Sequence, residues 1–234
     1  MDINKDLNKI LKLSDKVKPD IIANYAAQGE VRNSWRYPDQ WYETNCMGIV
    51  RLTEELRKRD YIKKYISAST PEVYGTTEDN LKESHNYFPS TPYGASKLAG
   101  DLHLFTLFKR YNFPVVFTRS ANVYGIHQQL YRIIPRTIIY LKMGKKIQLH
   151  GEGKSERSFV HIRDVAEATM KVAEKGINGE IYHISPSDNQ ISIFSLVKMV
   201  CNMLDINFEN SVELIKNNYG QDSKFSISSK KIRS

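Results

Sequence analysis

The chain has 234 residues, of which 41% are hydrophobic and 26% charged, enough for a sizeable core and one or two domains. No apolar run approaches the ~20 residues that span a bilayer and no signal-peptide pattern opens the sequence, which argues against a membrane helix and for the cytoplasm. The formal charge of +8 is spread over predicted helix faces, with no basic tract interleaved with aromatics, so nucleic acid is not an expected partner.

In chain order, Lys5 to Lys16 predicts a helix closed by Pro19, and Asp20 to Asn24 a strand. Trp41 to Arg59 predicts a second helix, with Ile49, Leu52 and Leu56 on one face. Tyr65 to Thr70 is an apolar, β-branched run ending in small hydroxyl residues, the pattern of a buried parallel strand. A loop rich in Thr, Asn and Ser leads to a helix carrying Tyr93, Lys97, Leu98, Leu102, Phe105 and Phe108. Beyond it, strands are expected over Pro114–Thr118, Lys146–Gly151 and Glu180–Ile184, and helices over Ile133–Met143 and Ser195–Leu204. Lys142 to Lys146 suits a helix C-terminus, where cations complement the dipole. Gly153 to Ser158 reads as a loop, Asp164 as the N-cap of a helix through Ala173, and Ser228 to Arg233 as the start of a helix. Cys46 and Cys201 fall in predicted helices without a Cys-x-x-Cys motif and read as buried thiols in a reducing compartment. Such alternation of helix and strand argues for an α/β fold with a parallel sheet.

Chemistry concentrates at three of these positions. A Tyr-x-x-x-Lys spacing arises by chance in a chain with 14 Tyr, so Tyr93 and Lys97 gain meaning only beside Thr70. A hydroxyl at the carboxyl end of a buried parallel strand stands where open α/β sheets bind ligands. On the helix that follows, Tyr93 and Lys97 share a face one turn apart. An ammonium beside a phenol favours the phenolate, which makes a base able to take a proton from a sugar hydroxyl while hydride leaves the same carbon. That chemistry calls for a nicotinamide.

Further fragments share this order: Asn24-Tyr25-Ala26-Ala27-Gln28, Thr44-Asn45, Thr70-Pro71-Glu72-Val73-Tyr74-Gly75, Pro92-Tyr93-Gly94-Ala95-Ser96-Lys97, Ser120-Ala121-Asn122-Val123-Tyr124-Gly125, Arg157 to Val165, and Gly220-Gln221-Asp222. On these the chain resembles the extended short-chain dehydrogenase/reductases and, within them, the nucleotide-sugar 4,6-dehydratases. The resemblance implies a doubly wound, Rossmann-like parallel-sheet domain over 1–125. It also implies a smaller, interleaved substrate domain over 126–234, with strand 180–184 returning to the main sheet. Both ends read as cut: the first βαβ unit is missing, and no Gly-x-x-Gly-x-x-Gly or Gly-x-Gly-x-x-Gly occurs anywhere in the sequence. On that ground the 234-residue polypeptide is expected to bind NAD weakly by itself.

By resemblance, NAD would be held by Asp2, Ala26, Ala27, Gln28, Asn45, Ser69, Tyr93, Lys97 and Ser120. A nucleoside-diphosphate sugar would be held by Thr70, Glu72, Asn122, Gln148, Leu149, His150 and Arg157. Tyr93 would take the 4-hydroxyl proton, with its pKa depressed by Lys97, and Thr70 would hydrogen-bond the 4-oxygen. Glu72 would remove the carbon-5 proton before water leaves from carbon 6. Core packing is an equal reading for Leu149. His150 and His161 lack metal-ligand spacing, so no metal is expected. Three positions depart from the pattern. Pro71 stands where relatives place an acid for the departing hydroxyl, Glu30 replaces a His, and Asn218 to Asp222 lacks its usual Arg. The resemblance further implies a homodimer through two helices per chain, Trp41–Arg59 and Tyr93–Tyr111. The alternatives are a 4-epimerase or reductase of the same superfamily and a non-catalytic remnant.

Overall fold

The computed structural model describes residues 1–76, 80–187, 190–216 and 226–234. Its centre is a sheet of β1 (Ile21–Asn24), β2 (Lys64–Ser69), β3 (Val115–Ser120) and β7 (Ile181–Ile184), side by side in that order and all parallel. β2 and β3 are central, so both of their faces need cover, and Tyr65, Ile66 and Ala68 on β2 and Val115, Val116 and Phe117 on β3 supply it. One pleat face carries Tyr65, Val115 and Phe117 into a core with Ile49, Leu52 and Leu56, Leu104 and Phe105. These come from α4 (Ile49–Leu56) and α5 (Pro92–Tyr111), and α1 (Leu7–Val17) adds Leu11. Ile66 and Val116, equally buried, point to the opposite face. There α7 (Ile162–Lys175) contacts β2, β3 and β7. Helices on both faces of a parallel sheet make the fold doubly wound.

Two smaller layers follow. β4 (Asn122–Tyr124) pairs in parallel with β6 (Glu156–His161), which pairs antiparallel with β8 (Gln190–Ser192). β5 (Ile147–His150) pairs in parallel with β9 (Val212–Ile215). α6 (Ile133–Lys142), α8 (Ile193–Met203) and α9 (Phe208–Ser211) close a second core around Leu141, Leu149, Val197 and Phe208. α10 (Lys230–Arg233) ends the chain, against β7. Among the described residues no helix is long and apolar enough to cross a membrane.

The structure departs from the sequence reading at several points, each for a local reason. The single helix expected over 41–59 is three segments: α3 (Pro38–Tyr42), a π-turn over Glu43–Gly48, and α4. Pro38 starts it at a position where the missing N–H costs nothing. α2 (Val31–Arg36) went unseen because six residues show no period; Glu30 caps it, accepting from the amides of Arg32 at 3.0 Å and Asn33 at 2.9 Å. Asp164 is not an N-cap: α7 begins two residues earlier, and its cap is His161, whose Nδ1 accepts from the Arg163 amide. Gly153 to Ser158 is not all loop, since β6 starts at Glu156 and sets Arg157 opposite Ile191. Asn122 opens β4; Ser120 closes β3. Cys201 is buried, whereas Cys46 on the π-turn is half-buried.

The interior also holds charge. The Arg119 guanidinium, fully buried on β3, donates to the Asp101 carboxylate of α5 at 3.2 Å and to the Tyr87 hydroxyl at 3.3 Å. It lies over the Tyr74 and Tyr87 rings, 4.7 and 5.0 Å from their centroids. Tyr74 hydrogen-bonds Nε2 of buried His183 on β7 at 2.9 Å. Burial, then the Arg119 charge, push the His183 imidazole down to about 3.

Two outcomes test this architecture. A methyl at Gly100 would run into the Asn45 backbone carbonyl. A Gly-to-Ala change inside a helix ordinarily gains up to ~1 kcal/mol, but overpacking against backbone costs ~1–3 kcal/mol. Gly100→Ala should therefore lower the melting temperature by a few degrees; an unchanged or raised value contradicts the contact. The second outcome concerns pH. His183 has a folded pKa below its unfolded value, so between the two the unfolded chain binds a proton that the fold refuses. Its contribution is complete above about pH 6.5 and is lost as pH falls toward 3, amounting to about 2–3 kcal/mol by pH 4.5. Urea midpoints measured from pH 7 to 4.5 should fall, and His183→Gln, though less stable at pH 7, should fall by less over the same range.

Candidate active site

α5 begins with Thr91, whose hydroxyl accepts from the Gly94 amide at 3.0 Å, and Pro92 at the first helical position. This cap fixes where Tyr93 stands, and the Ser34 hydroxyl of α2 accepts the Tyr93 amide at 3.2 Å. Facing it, β2 ends in Ser69, and Thr70 caps a 3₁₀ turn over Pro71–Tyr74. The Thr70 hydroxyl accepts from the Glu72 amide at 3.3 Å and stands near enough to the Tyr93 phenol to favour its ionised form. Gly94 lets the two segments touch, since a Cβ there would lie 2.8 Å from the Glu72 carbonyl oxygen. Thr70, Glu72 and Tyr93 are thereby brought together. Tyr93 is half-buried and Lys97, one turn along, is buried.

The electrostatics correct one expectation. Tyr93 is not depressed by Lys97. Burial, followed by the Glu72 carboxylate, pushes the phenol above its ordinary value, while the Thr70 hydroxyl and the Arg132 guanidinium pull it back. Lys97 Nζ donates instead to the Ala68 carbonyl at 2.9 Å. Burial lowers the Lys97 pKa, Asp101 opposes that and Arg119 adds to it.

Beside this group, the π-turn aims Asn45 inward, where only 1% of it is exposed. Its side chain accepts from the Gln28 amide at 2.8 Å and donates to the Gln28 carbonyl and the Ser96 hydroxyl, both at 3.0 Å. Ser96 in turn donates to the Tyr93 carbonyl at 2.8 Å. One amide thus locks the segment after β1 to the helix of Tyr93 and leaves Ala26 and Ala27 exposed at the carboxyl end of the strand. Small exposed side chains, the Ser120 hydroxyl at the end of β3 and an ammonium with one carbonyl partner are the groups the strand ends offer a dinucleotide, the Ser69 hydroxyl being given to Asp101.

Other expected site residues sit elsewhere. Asp2 is exposed, and its carboxylate accepts from the amides of Asn4 and Lys5 in the turn before α1. Asn122 is exposed at the start of β4. On β5, Gln148 bonds Glu213 at 3.0 Å and His150 is exposed, but the Leu149 side chain is buried in the second core, so packing takes it. Arg157 is half-buried on β6. Asn218 to Asp222 lie outside the described residues. Two residues were missed. Arg132, just ahead of α6, reaches both Gly29 and the field of Tyr93 without any periodic signal. Asp101 continues the face of Tyr93 and Lys97 at the same four-residue spacing, a signal the sequence did contain.

Known proteins resemble this chain in sequence and fold. dTDP-D-glucose 4,6-dehydratase of Homo sapiens is 33% identical over 236 residues, taking in 97% of this chain and 66% of the human protein. A trifunctional UDP-glucose 4,6-dehydratase/3,5-epimerase/reductase of Arabidopsis thaliana is 28% identical over 232 residues, 97% of this chain and 34% of that one. The chain therefore spans less than two thirds of the length of either relative. Among solved structures, the dTDP-glucose 4,6-dehydratase of Streptomyces venezuelae with NAD and TYD bound superposes with a TM-score of 0.92 at 28% identity, covering all of this chain and 71% of the other. UDP-glucuronic acid 4-epimerase of Bacillus cereus, with UDP-glucuronic acid and NAD, gives 0.89 at 28%, covering 99% and 72%. Residues 3–185 match the model of one family, and with the Thr70–Tyr93–Lys97 arrangement in place the chain belongs to the NAD dependent epimerase/dehydratase family.

Proposed function

We propose that this chain carries the catalytic residues of an NAD-dependent nucleotide-sugar 4,6-dehydratase acting on a nucleoside-diphosphate hexose. The observation that carries the reading is the place of Glu72, in the 3₁₀ turn that Thr70 caps and against which Gly94 seats the helix of Tyr93. A 4-epimerase has no use for a second base at that place; a dehydratase does.

In this reading Thr70 and Tyr93 hold the 4-oxygen, and Tyr93 takes its proton as the phenolate, after its own proton has passed to water. NAD, when bound, would supply the redox chemistry by taking hydride from carbon 4 and giving it back at carbon 6. Lys97, with Ala26 to Gln28, Asn45, Ser69 and Ser120, holds that cofactor, and Asp2 is assigned to its adenine end. Glu72 removes the carbon-5 proton once carbon 4 is a ketone. Pro71 has no proton to give, so Glu72 or a water protonates the departing hydroxyl. The segment from Ile126 onward, with Asn122, Gln148, His150 and Arg157, is assigned to the nucleotide, where a planar guanidinium suits phosphate oxygens. A cytoplasmic homodimer completes the reading. Tyr42, Met47 and Leu102 stay exposed on α3, the π-turn and α5, and burying them against a second copy would remove that apolar surface from water.

The test places a relative's first βαβ unit ahead of Met1, giving the pyrophosphate a helix N-terminus to rest on. The expected product is a 4-keto-6-deoxy nucleotide sugar, and Tyr93→Phe should abolish oxidation at carbon 4. Glu72→Gln should still oxidise carbon 4 but lose deuterium exchange at carbon 5 and slow water loss about 10²–10⁴-fold. A 4-epimer formed without loss of water would instead give the site to the epimerases, and unchanged dehydration in Glu72→Gln would remove the carboxylate from the mechanism.

A further inference from the structure

Tyr93, Lys97 and Asp101 follow one another at four-residue spacing along α5, so their side chains stack on one face, each a turn below the last. The third member has no part in the chemistry above, yet only 1% of it is exposed. A carboxylate is almost never buried to that degree without being held by partners. Asp101 has two, from two different strands. The Ser69 hydroxyl at the end of β2 donates to it at 2.5 Å, and Arg119 on β3 donates at 3.2 Å. Through these bonds one carboxylate ties the catalytic helix to the strand that leads into Thr70 and to its neighbour.

We propose that Asp101 is a positioning residue of this site: through Ser69 it holds against α5 the end of β2, whose Ala68 carbonyl takes the Lys97 ammonium, and it is the opposite charge on that ammonium's own helix face. The inference rests on the assignment of Tyr93 and Lys97 to the active site. Lys97 is sealed from water, and burial disfavours its charged form. The groups around it are Tyr93 and Asp101 on its own helix, Arg119 from β3 and the Ala68 carbonyl from β2. Of these only Asp101 brings an opposite charge, and Arg119 brings a like one. A site that must present a cation to a cofactor therefore depends on a residue that touches neither cofactor nor substrate. Arg119 is the cationic partner of Asp101, and its guanidinium lies against the Tyr74 and Tyr87 rings.

The experiment reads the ionisation of Lys97 directly in the 234-residue chain without ligands, from ¹³C- and ¹⁵N-labelled lysine spectra. The Lys97 signal is assigned by its loss in Lys97→Met. Asp101→Asn keeps the shape of the side chain and removes the charge, so the Lys97 midpoint should fall by about one to three pH units. Arg119→Met removes the like charge, and the midpoint should rise. Opposite movements from the two members of one ion pair are the expected result, since merely loosening the core would move both variants the same way. If Asp101→Asn fails to fold because Arg119 is left unpaired, the neutral double variant Asp101→Asn/Arg119→Met is compared with Arg119→Met alone, and the same fall is expected. A midpoint that does not move on loss of the carboxylate, or that moves the same way in both variants, overturns the proposal. Because no turnover is measured, these outcomes stand apart from those of Tyr93→Phe and Glu72→Gln.

Discussion

Everything at the candidate site follows from how closely α5 approaches its neighbours. Near one end Gly94 sits against the Glu72 carbonyl, and two turns on Gly100 sits against that of Asn45. With any side chain at either position the helix would stand off by a methyl group or more. Backbone contact at both points brings Tyr93 to Thr70 and Ser96 to Asn45, so a single helix forms one wall of two sub-sites. The sheet fixes the other wall, because β2 ends where the 3₁₀ turn begins and Thr70 serves as strand end and cap together. Positioning here is done largely by backbone, and the side chains are left to do chemistry.

The polar interior is organised around the same helix. Asp101, Arg119, Tyr74, Tyr87 and His183 link α5, β3, the 3₁₀ turn, the loop before α5 and β7 in one buried run. Removing one partner of a buried charge pair costs far more than never having had the pair, so such a network acts as a register mark. It admits one arrangement of five segments and penalises the near alternatives.

Much of this was legible in the sequence. The runs at Tyr65–Thr70 and Pro114–Thr118 are apolar because two faces must be covered, and that pattern survives any choice of neighbours. The Tyr93–Lys97 pair lies on a long, capped helix, where four-residue spacing translates directly into a shared face. Other features were not legible, for equally physical reasons. β4 and β8 are three residues long, too short to show alternation, and exist because partners supply their hydrogen bonds. The direction of the Tyr93 pKa could not be read either, because it depends on burial and on Glu72, and spacing along a helix reports neither. Leu149 looked equally like ligand contact and core, since on an alternating strand only the face decides.

The π-turn over Glu43–Gly48 has a meaning for how such a chain can change over time. A π-turn is an α-helical turn carrying one residue too many. Losing one residue ahead of Asn45, Glu43 or Thr44, would leave an uninterrupted α-helix from Pro38 to Leu56, with its hydrophobic face able to settle on the same core. The side chain at Asn45, however, would swing by about 100° round the axis and release both Gln28 and Ser96. A one-codon deletion there would separate foldedness from the Asn45 contacts in a single step, so the length of this helix matters to the site more than its composition.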